Sequence, residues 1–86
     1  MRIRKEYGDK NLIGKKVYEL RKKKGMKQKE FLAKIQLAGF DMNPSSLSKL
    51  EGQQRIVTDK EIIAIAKVLH MSCDELLGFH MEEHEE

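Results

Sequence analysis

Apolar residues recur along most of the chain at helical spacing, and no stretch alternates apolar and polar residues as a half-buried strand does. The first such stretch covers residues 12–24, where one apolar face is formed by Ile13, Val17 and Leu20. Asn11 is a residue type that caps helix N-termini, and Gly25 is one that ends helices. The pattern therefore predicts a first helix over residues 12–24.

A second helix is predicted from Gln28 to residue 37 or 38, because a further apolar stripe lies there and Gly39 follows it. The residues expected on its buried side are Phe31, Leu32, Ile35 and Ala38.

The clearest helix start is Asn43-Pro44, since asparagine is a strong N-cap and proline suits the first helical position. Met42 and Leu47 have the spacing of a hydrophobic staple around this start. A short third helix is therefore predicted over residues 44–51, with a polar face turned outward. That face comprises Ser45, Ser46, Ser48 and Lys49.

Two capping boxes predict the last two helices. Thr58 with Glu61 begins a fourth helix, and Ser72 with Glu75 begins a fifth that ends at Gly78. The fourth helix is apolar on most sides and is expected to be the central buried one. Its apolar residues are Ile62, Ile63, Ile65, Ala66, Val68 and Leu69.

These elements predict an all-α, compact five-helix domain over residues 12–78. Residues 1–11 are interpreted as a basic N-terminal arm that a partner or DNA would order, with a short helix as the alternative. Residues 79–86 are interpreted as an acidic C-terminal tail.

The charge is distributed unevenly although the net charge is only +3. Residues 1–34 hold thirteen of the 17 Lys and Arg residues and four of the 14 acids. Such a chain can bind a polyanion with one face and stay soluble with the other, although lysines also simply solvate helix faces.

Several function classes are not expected. The chain has no Gly-rich phosphate loop and no paired nucleophile and base, so we expect neither an enzyme nor a cofactor or small-molecule substrate. His80 and His84 stand four residues apart, but no metal site is expected in an acidic tail. The single Cys73 fits a reducing cytoplasm, and no membrane span or signal peptide is expected.

Five motifs in this order resemble the lambda-repressor-like (Cro-like, XRE family) helix-turn-helix proteins. They are IGKKVYELR at 13–21, GMKQKEF at 25–31, SLSKLE at 46–51, IAIAKVL at 63–69 and MSCDELL at 71–77. The resemblance covers about residues 12–78. It implies a five-helix fold and a transcriptional regulator, of repressor type, that binds specific sequences of double-stranded DNA in the cytoplasm or nucleoid of a bacterium or phage.

The resemblance makes helix 44–51 the reading helix, whose small polar face would enter the major groove. It places Pro44, Ser45 and Lys49 at base-facing positions, with Ser46 and Ser48 keeping the backbone close to DNA. The alternative is that the serines merely favour a helix start.

The resemblance also implies roles outside the reading helix. Gln28 would clamp a phosphate at the start of the second helix, with Lys27 adding attraction, although both residues could be merely exposed. Arg55 would reach a phosphate or the minor groove, with Gln54 a weaker candidate.

The resemblance further implies that Arg21 pairs with Glu51 and braces the reading helix against the first helix. Two independent surface charges are the alternative.

The chain departs from the family pattern in four places. The connection around residues 36–42 is about five residues longer, so either the second helix gains a turn or a real loop tucks Phe40 and Met42 into the core. Leu32 stands where a small residue is usual, which would shift the helix contact to Ala33. Gln53 replaces a glycine, so the C-cap is expected to move to Gly52. Lys27 replaces a capping threonine.

A single short reading helix covers few base pairs, so a homodimer is expected at least on DNA. Its predicted interface is the fifth helix and the tail, at Leu76, Leu77, Phe79 and Met81. The alternative function is a protein-interaction module, such as an antitoxin or accessory factor, that uses the same tail.

Overall fold

The computed structural model describes residues 8–78, and the elements of this part of the chain are all helical. They are α1 (Gly14–Lys23), α2 (Gln28–Leu37), α3 (Pro44–Glu51), α4 (Asp59–Leu69) and α5 (Cys73–Leu77). No strand occurs among the described residues. The predicted all-α, five-helix fold is confirmed.

Side-chain caps begin three of the helices, α3, α4 and α5. In α3, Asn43 Oδ1 accepts a hydrogen bond from the Ser46 N–H at 2.8 Å. The capping boxes predicted at the starts of α4 and α5 are both formed. Helix α1 begins at Gly14 with Ile13 as its N-cap, so the prediction of Asn11 as the N-cap is wrong. Asn11 Oδ1 instead accepts from the N–H groups of Ile13 and Gly14 at 3.1 and 2.8 Å and orders the turn that leads into α1.

The N-terminus of α2 has only one of the two hydrogen bonds of a capping box, the one made by Glu30. The side chain of Lys27 makes no capping hydrogen bond, as expected where lysine replaces threonine. The Glu30 carboxylate accepts from the Lys27 N–H at 2.9 Å. The backbone N–H groups of Gln28 and its neighbours, which begin α2, therefore face outward without a hydroxyl cap.

The core lies where all five helices meet. The largest fully buried side chains are Phe31, Ile13, Ile35, Leu47, Leu50, Ile65, Leu76 and Val17. Helix α3 packs against α1 and α2, while α4 packs against α2 and α5. The prediction that α4 is buried on most sides is wrong for Ile63, which is 48% exposed.

The close approach of α1 to α3 depends on Gly14. A Cβ atom at this position would clash with the backbone carbonyl oxygen of Leu50 and lie 2.9 Å from that of Glu51. Glycine therefore lets the first turn of α1 lie directly on the last turn of α3.

The long connection between α2 and α3 is a loop, so the first of the two alternatives is wrong. Helix α2 ends at Leu37, and Gly39 follows with a φ of +103°. The Phe40 N–H then donates to the carbonyl of Ile35 at 3.1 Å, which turns the chain back. Phe40 is partly buried and Met42 is buried, so the loop is anchored in the core immediately before α3.

Two local predictions are wrong and one is correct in part. Leu32 itself packs partly against the core while Ala33 is exposed, so the helix contact does not move to Ala33. Gly52 is the C-cap of α3, as expected, but its φ is −85° and the left-handed conformation, with a φ of +57°, falls on Gln53. Leu76 is fully buried and offers no surface to a second subunit.

Some predictions lie outside the described residues. These are the arm up to residue 7, the proposed interface residues Phe79 and Met81, and the rejected metal pair His80 and His84. Within residues 8–78, no group of His, Cys, Asp and Glu side chains could hold a metal ion. None of the helices in that range has the length and hydropathy of a membrane span.

Candidate nucleic-acid interface

The outer face of α3 is polar and open to solvent. Pro44, Ser45, Ser48 and Lys49 are exposed, and Ser46 is half-buried. The opposite face is anchored by two fully buried leucines, Leu47 and Leu50. Eight residues of helix are about 12 Å long, comparable with the width of the DNA major groove. The length of α3 and its polar outer face are therefore compatible with binding in the major groove of DNA.

Gln28 connects the N-terminus of α2 to this polar face. It is the first residue of α2, and its Nε2 donates to Ser48 Oγ at 3.3 Å and to Glu51 Oε1 at 3.1 Å. Helix N-termini attract anions because their first N–H groups lack acceptors within the helix. The arrangement puts such an N-terminus beside the outer face of α3.

The surface next to this N-terminus is basic. A shallow groove there is lined by Arg21, Lys22, Gly25, Met26, Lys27 and Gln28, with no acidic residue among them. Lys27 is exposed, whereas the guanidinium of Arg21 is turned inward. The groove therefore offers positive charge through its lysines and the α2 N-terminus.

The ion pair expected between Arg21 and Glu51 is present. Arg21 Nε lies 2.7 Å from Glu51 Oε2, and Nη2 donates to Glu51 Oε1 at 3.1 Å. The remaining nitrogen, Nη1, donates to the carbonyl of Met26 at 2.8 Å. One guanidinium thus joins α1, the turn after it and the last turn of α3.

Arg55 differs from the expectation that it reaches DNA, because its guanidinium is used inside the protein. Nη2 and Nη1 donate to the two carboxylate oxygens of Glu61 at 2.7 and 3.0 Å, and Nε donates to the carbonyl of Ser46 at 2.9 Å. Its side chain is 21% exposed and that of Glu61 only 5%. A phosphate would have to compete with a nearly buried carboxylate for this arginine.

The Glu61 carboxyl has a shifted pKa. Burial alone raises its pKa, but the hydrogen bonds from Arg55 and Thr58 and the positive charge of Arg55 outweigh burial. The net pKa lies below the ordinary value, so the carboxylate is held in its charged form.

Gln53 and Gln54 have different surroundings. Gln54 is exposed, as a candidate contact should be. Gln53 accepts from the Lys15 N–H at 3.1 Å through Oε1 and donates to the carbonyl of Gly8 at 3.0 Å through Nε2. Gln53 is therefore a structural link between the turn after α3 and the start of the chain.

Residues 8–11 dock along the turn after α3, a contact that no sequence pattern predicts. The N–H groups of Gly8 and Lys10 donate to the carbonyls of Gly52 and Gln53 at 2.8 and 3.0 Å. The amide of Asn11 donates to the carbonyls of Leu50 and Arg55. These hydrogen bonds, two from backbone N–H groups and two from the Asn11 side chain, join segments far apart in the chain, so no local pattern indicates them.

Comparison with known proteins supplies one match. A helix-turn-helix family model matches residues 17–76, which is more than half of the chain. The matched segment contains α2, the loop after it, α3 and α4 in full. No curated protein and no solved structure matches the chain.

Proposed function

Because the chain belongs to the helix-turn-helix family of the lambda-repressor type, we propose that it binds specific sequences in double-stranded DNA and represses transcription. The observation that carries the proposal is the exposed polar face of α3, joined through Gln28 to the N-terminus of α2. In this proposal α3 lies in the major groove and α2 lies against the phosphate backbone.

Lys49 is the proposed base-reading residue. It is exposed on the polar face of α3, and an ammonium group there can donate to guanine O6 and N7. Ser45 is exposed one turn nearer the N-terminus, where a hydroxyl can donate to or accept from a base edge. Pro44 offers only apolar contact, and Ser46 and Ser48 keep the helix surface small enough for close approach.

Gln28 and Lys27 are the proposed phosphate contacts, with Gln54 at the far end of α3. The N–H groups at the start of α2 donate to a phosphate oxygen. The Gln28 amide beside them exchanges one of its two hydrogen bonds, to Ser48 or to Glu51, for a bond to the phosphate. Such contacts position the protein without reading sequence. Most of the affinity for random DNA would come from the lysines near the phosphates, Lys27 and the neighbouring Lys22.

We propose a homodimer on DNA, with half-sites about one helical turn apart. Since Leu76 is buried, the contact would use the half-buried Leu77 and residues 79–86. The cytoplasm or nucleoid of a bacterium or phage is the proposed location.

Selection of binding sites from random duplexes tests this function. The full chain should enrich a pseudo-palindromic sequence, and a fluorescence anisotropy titration should show tighter binding to it than to a scrambled duplex. Affinity for both should fall steeply between low and physiological salt, because bound lysines release counterions. Failure to enrich any sequence, with equal binding to both duplexes at low salt, would overturn the proposal.

A further inference from the structure

We infer that Arg55 is a positioning residue that sets the angle of the reading helix, an inference that rests on the proposed DNA-binding function. Arg55 contacts no base in this scheme. It acts through the backbone of the first turn of α3, which it ties to the first turn of α4.

The contact with α3 is made at its N-terminal turn. Ser46 is the third residue of α3, and its carbonyl accepts from Arg55 Nε at 2.9 Å. The opposite end of α3 is held by the pair between Arg21 and Glu51. Arg55 therefore holds the N-terminal turn of α3 and Arg21 holds its last turn. Fixing both ends of this eight-residue helix fixes the direction of its axis.

The contact with α4 is made at a rigid point. Glu61 receives two hydrogen bonds from Arg55 and also accepts from the N–H and hydroxyl of Thr58 at 2.9 and 3.2 Å. These bonds belong to the capping box of α4. Because Glu61 is nearly buried, Arg55 cannot swing away without leaving an unpaired carboxylate in the protein.

The long loop before α3 explains why such a link is needed. Met42, the residue just before the Asn43 cap, places its sulfur 3.9 Å from Arg55 Nη2. A longer connection between α2 and α3 restricts the pose of α3 less than a tight turn does. Arg55 contacts the end of that loop, the first turn of α3 and the first turn of α4. These contacts restrict the orientation of α3 in place of a tight turn.

The backbone of Arg55 is itself fixed. Its carbonyl accepts from Asn11 Nδ2 at 2.9 Å, and the same amide donates to the carbonyl of Leu50 at 3.1 Å. The residue that positions α3 is therefore held at its main chain as well as at its guanidinium.

The test compares Arg55→Lys and Glu61→Gln with the control Lys60→Ala, which removes an exposed charge from the first turn of α4. Binding to the selected duplex and to a scrambled duplex is measured well below each variant's melting temperature. Both test variants should lower the ratio of the two affinities by about tenfold, the equivalent of one lost base contact. The slope of affinity against salt on scrambled DNA should stay unchanged, and the double variant should be no worse than either single one.

A direct phosphate contact gives the opposite pattern. Replacing Arg55 by glutamine would then reduce the salt slope by about 0.9 on both duplexes, and Glu61→Gln would leave the affinity ratio at its wild-type value. That result overturns the inference, as does a wild-type ratio in Arg55→Lys.

Amide hydrogen exchange separates this inference from the proposed function. If the wild-type chain prefers no DNA sequence, the proposed DNA-binding function is wrong. Hydrogen exchange still tests whether Arg55 holds α3 in place. The amides of Leu47 to Leu50 should exchange faster in Arg55→Lys and Glu61→Gln than in Lys60→Ala, relative to the amides of α4. Equal exchange in all three variants shows that Arg55 does not hold α3.

Discussion

Arg21 and Glu51 are thirty residues apart in the chain and form a bidentate ion pair in which each side chain is 6% exposed. The pair joins the last turn of α1 to the last turn of α3. Glu51 Oε1 also accepts from Gln28, so the carboxylate lies between a structural arginine and a proposed phosphate contact. One carboxylate therefore binds both the arginine that holds α3 against α1 and the first side chain of α2.

Arg21→Ala should lower the free energy of unfolding by about 3 kcal/mol, because it leaves Glu51 buried without its cation. Urea denaturation followed by circular dichroism measures this loss. Lys23→Ala, an exposed change in the same turn, should stay within about 0.5 kcal/mol of wild type. Similar midpoints for the two variants would contradict a structural role for the pair.

Gly14→Ala should lower the free energy of unfolding by about 1–3 kcal/mol, which is the usual cost of overpacking. Its new methyl group would clash with the backbone carbonyl of Leu50, which has no side-chain freedom to move away. Gly52→Ala is the matched control, since the nearest atom there is the flexible side chain of Gln54 at 3.3 Å and φ is −85°. Thermal melts that rank Gly52→Ala as the more damaging change would refute the close α1–α3 contact.

Gln53 is the basis of a third prediction, because it combines a left-handed φ of 57° with two side-chain hydrogen bonds. Gln53→Ala loses the bonds and keeps the backbone strain, whereas Gln53→Gly loses the bonds and relieves the strain. The glycine variant should therefore be more stable than the alanine variant by about 1 kcal/mol. Urea midpoints in the reverse order would show that this backbone conformation carries no strain.

Much of this fold follows from local patterns. The cap and staple around Asn43 and Pro44 predict the observed bounds of α3, and the boxes at Thr58 and Ser72 predict the starts of α4 and α5. These signals act within one turn of helix and need no tertiary information. The pair between Arg21 and Glu51 was expected only from the family resemblance.

Other features depend on contacts between distant segments. Whether residues 36–42 form helix or loop depends on how Phe40 and Met42 reach the core, which spacing alone does not decide. Exposed arginines and internally bonded ones look alike in a sequence, so the partners of Arg55 could not be predicted. Gln53 takes the left-handed conformation of the turn that ends α3, in which the N–H groups of Gln53 and Gln54 donate to the carbonyls of Leu50 and Lys49. The hydrogen bonds of its side chain to Gly8 and Lys15 join distant segments, which spacing does not reveal.

The shifted pKa of Glu61 predicts a pH dependence of stability. A carboxyl with a folded pKa below its unfolded value of about 4.3 stabilises the protein above that value, and the stabilisation is lost as the pH falls through the folded pKa. Glu61→Gln should therefore be less stable than wild type at pH 7, and the difference should shrink on acidification below about pH 4. Denaturant titrations across this window measure it.

Glu19→Gln, which changes an exposed carboxylate in α1, is the control for this experiment. Its stability should follow the wild-type curve across the same window. A constant difference between Glu61→Gln and wild type from pH 7 to pH 3 would mean that the charged form of Glu61 contributes nothing.

The central claim, that the outer face of α3 reads base sequence, is tested most directly by Lys49→Ala binding to the selected duplex and to a scrambled one. Lys34→Ala, an exposed change near the far end of α2, controls for the lost charge. Lys49→Ala should weaken binding to the selected duplex by about 1–3 kcal/mol and binding to the scrambled duplex by much less. Equal losses on the two duplexes, or equal effects of the two variants, would contradict sequence reading by this face.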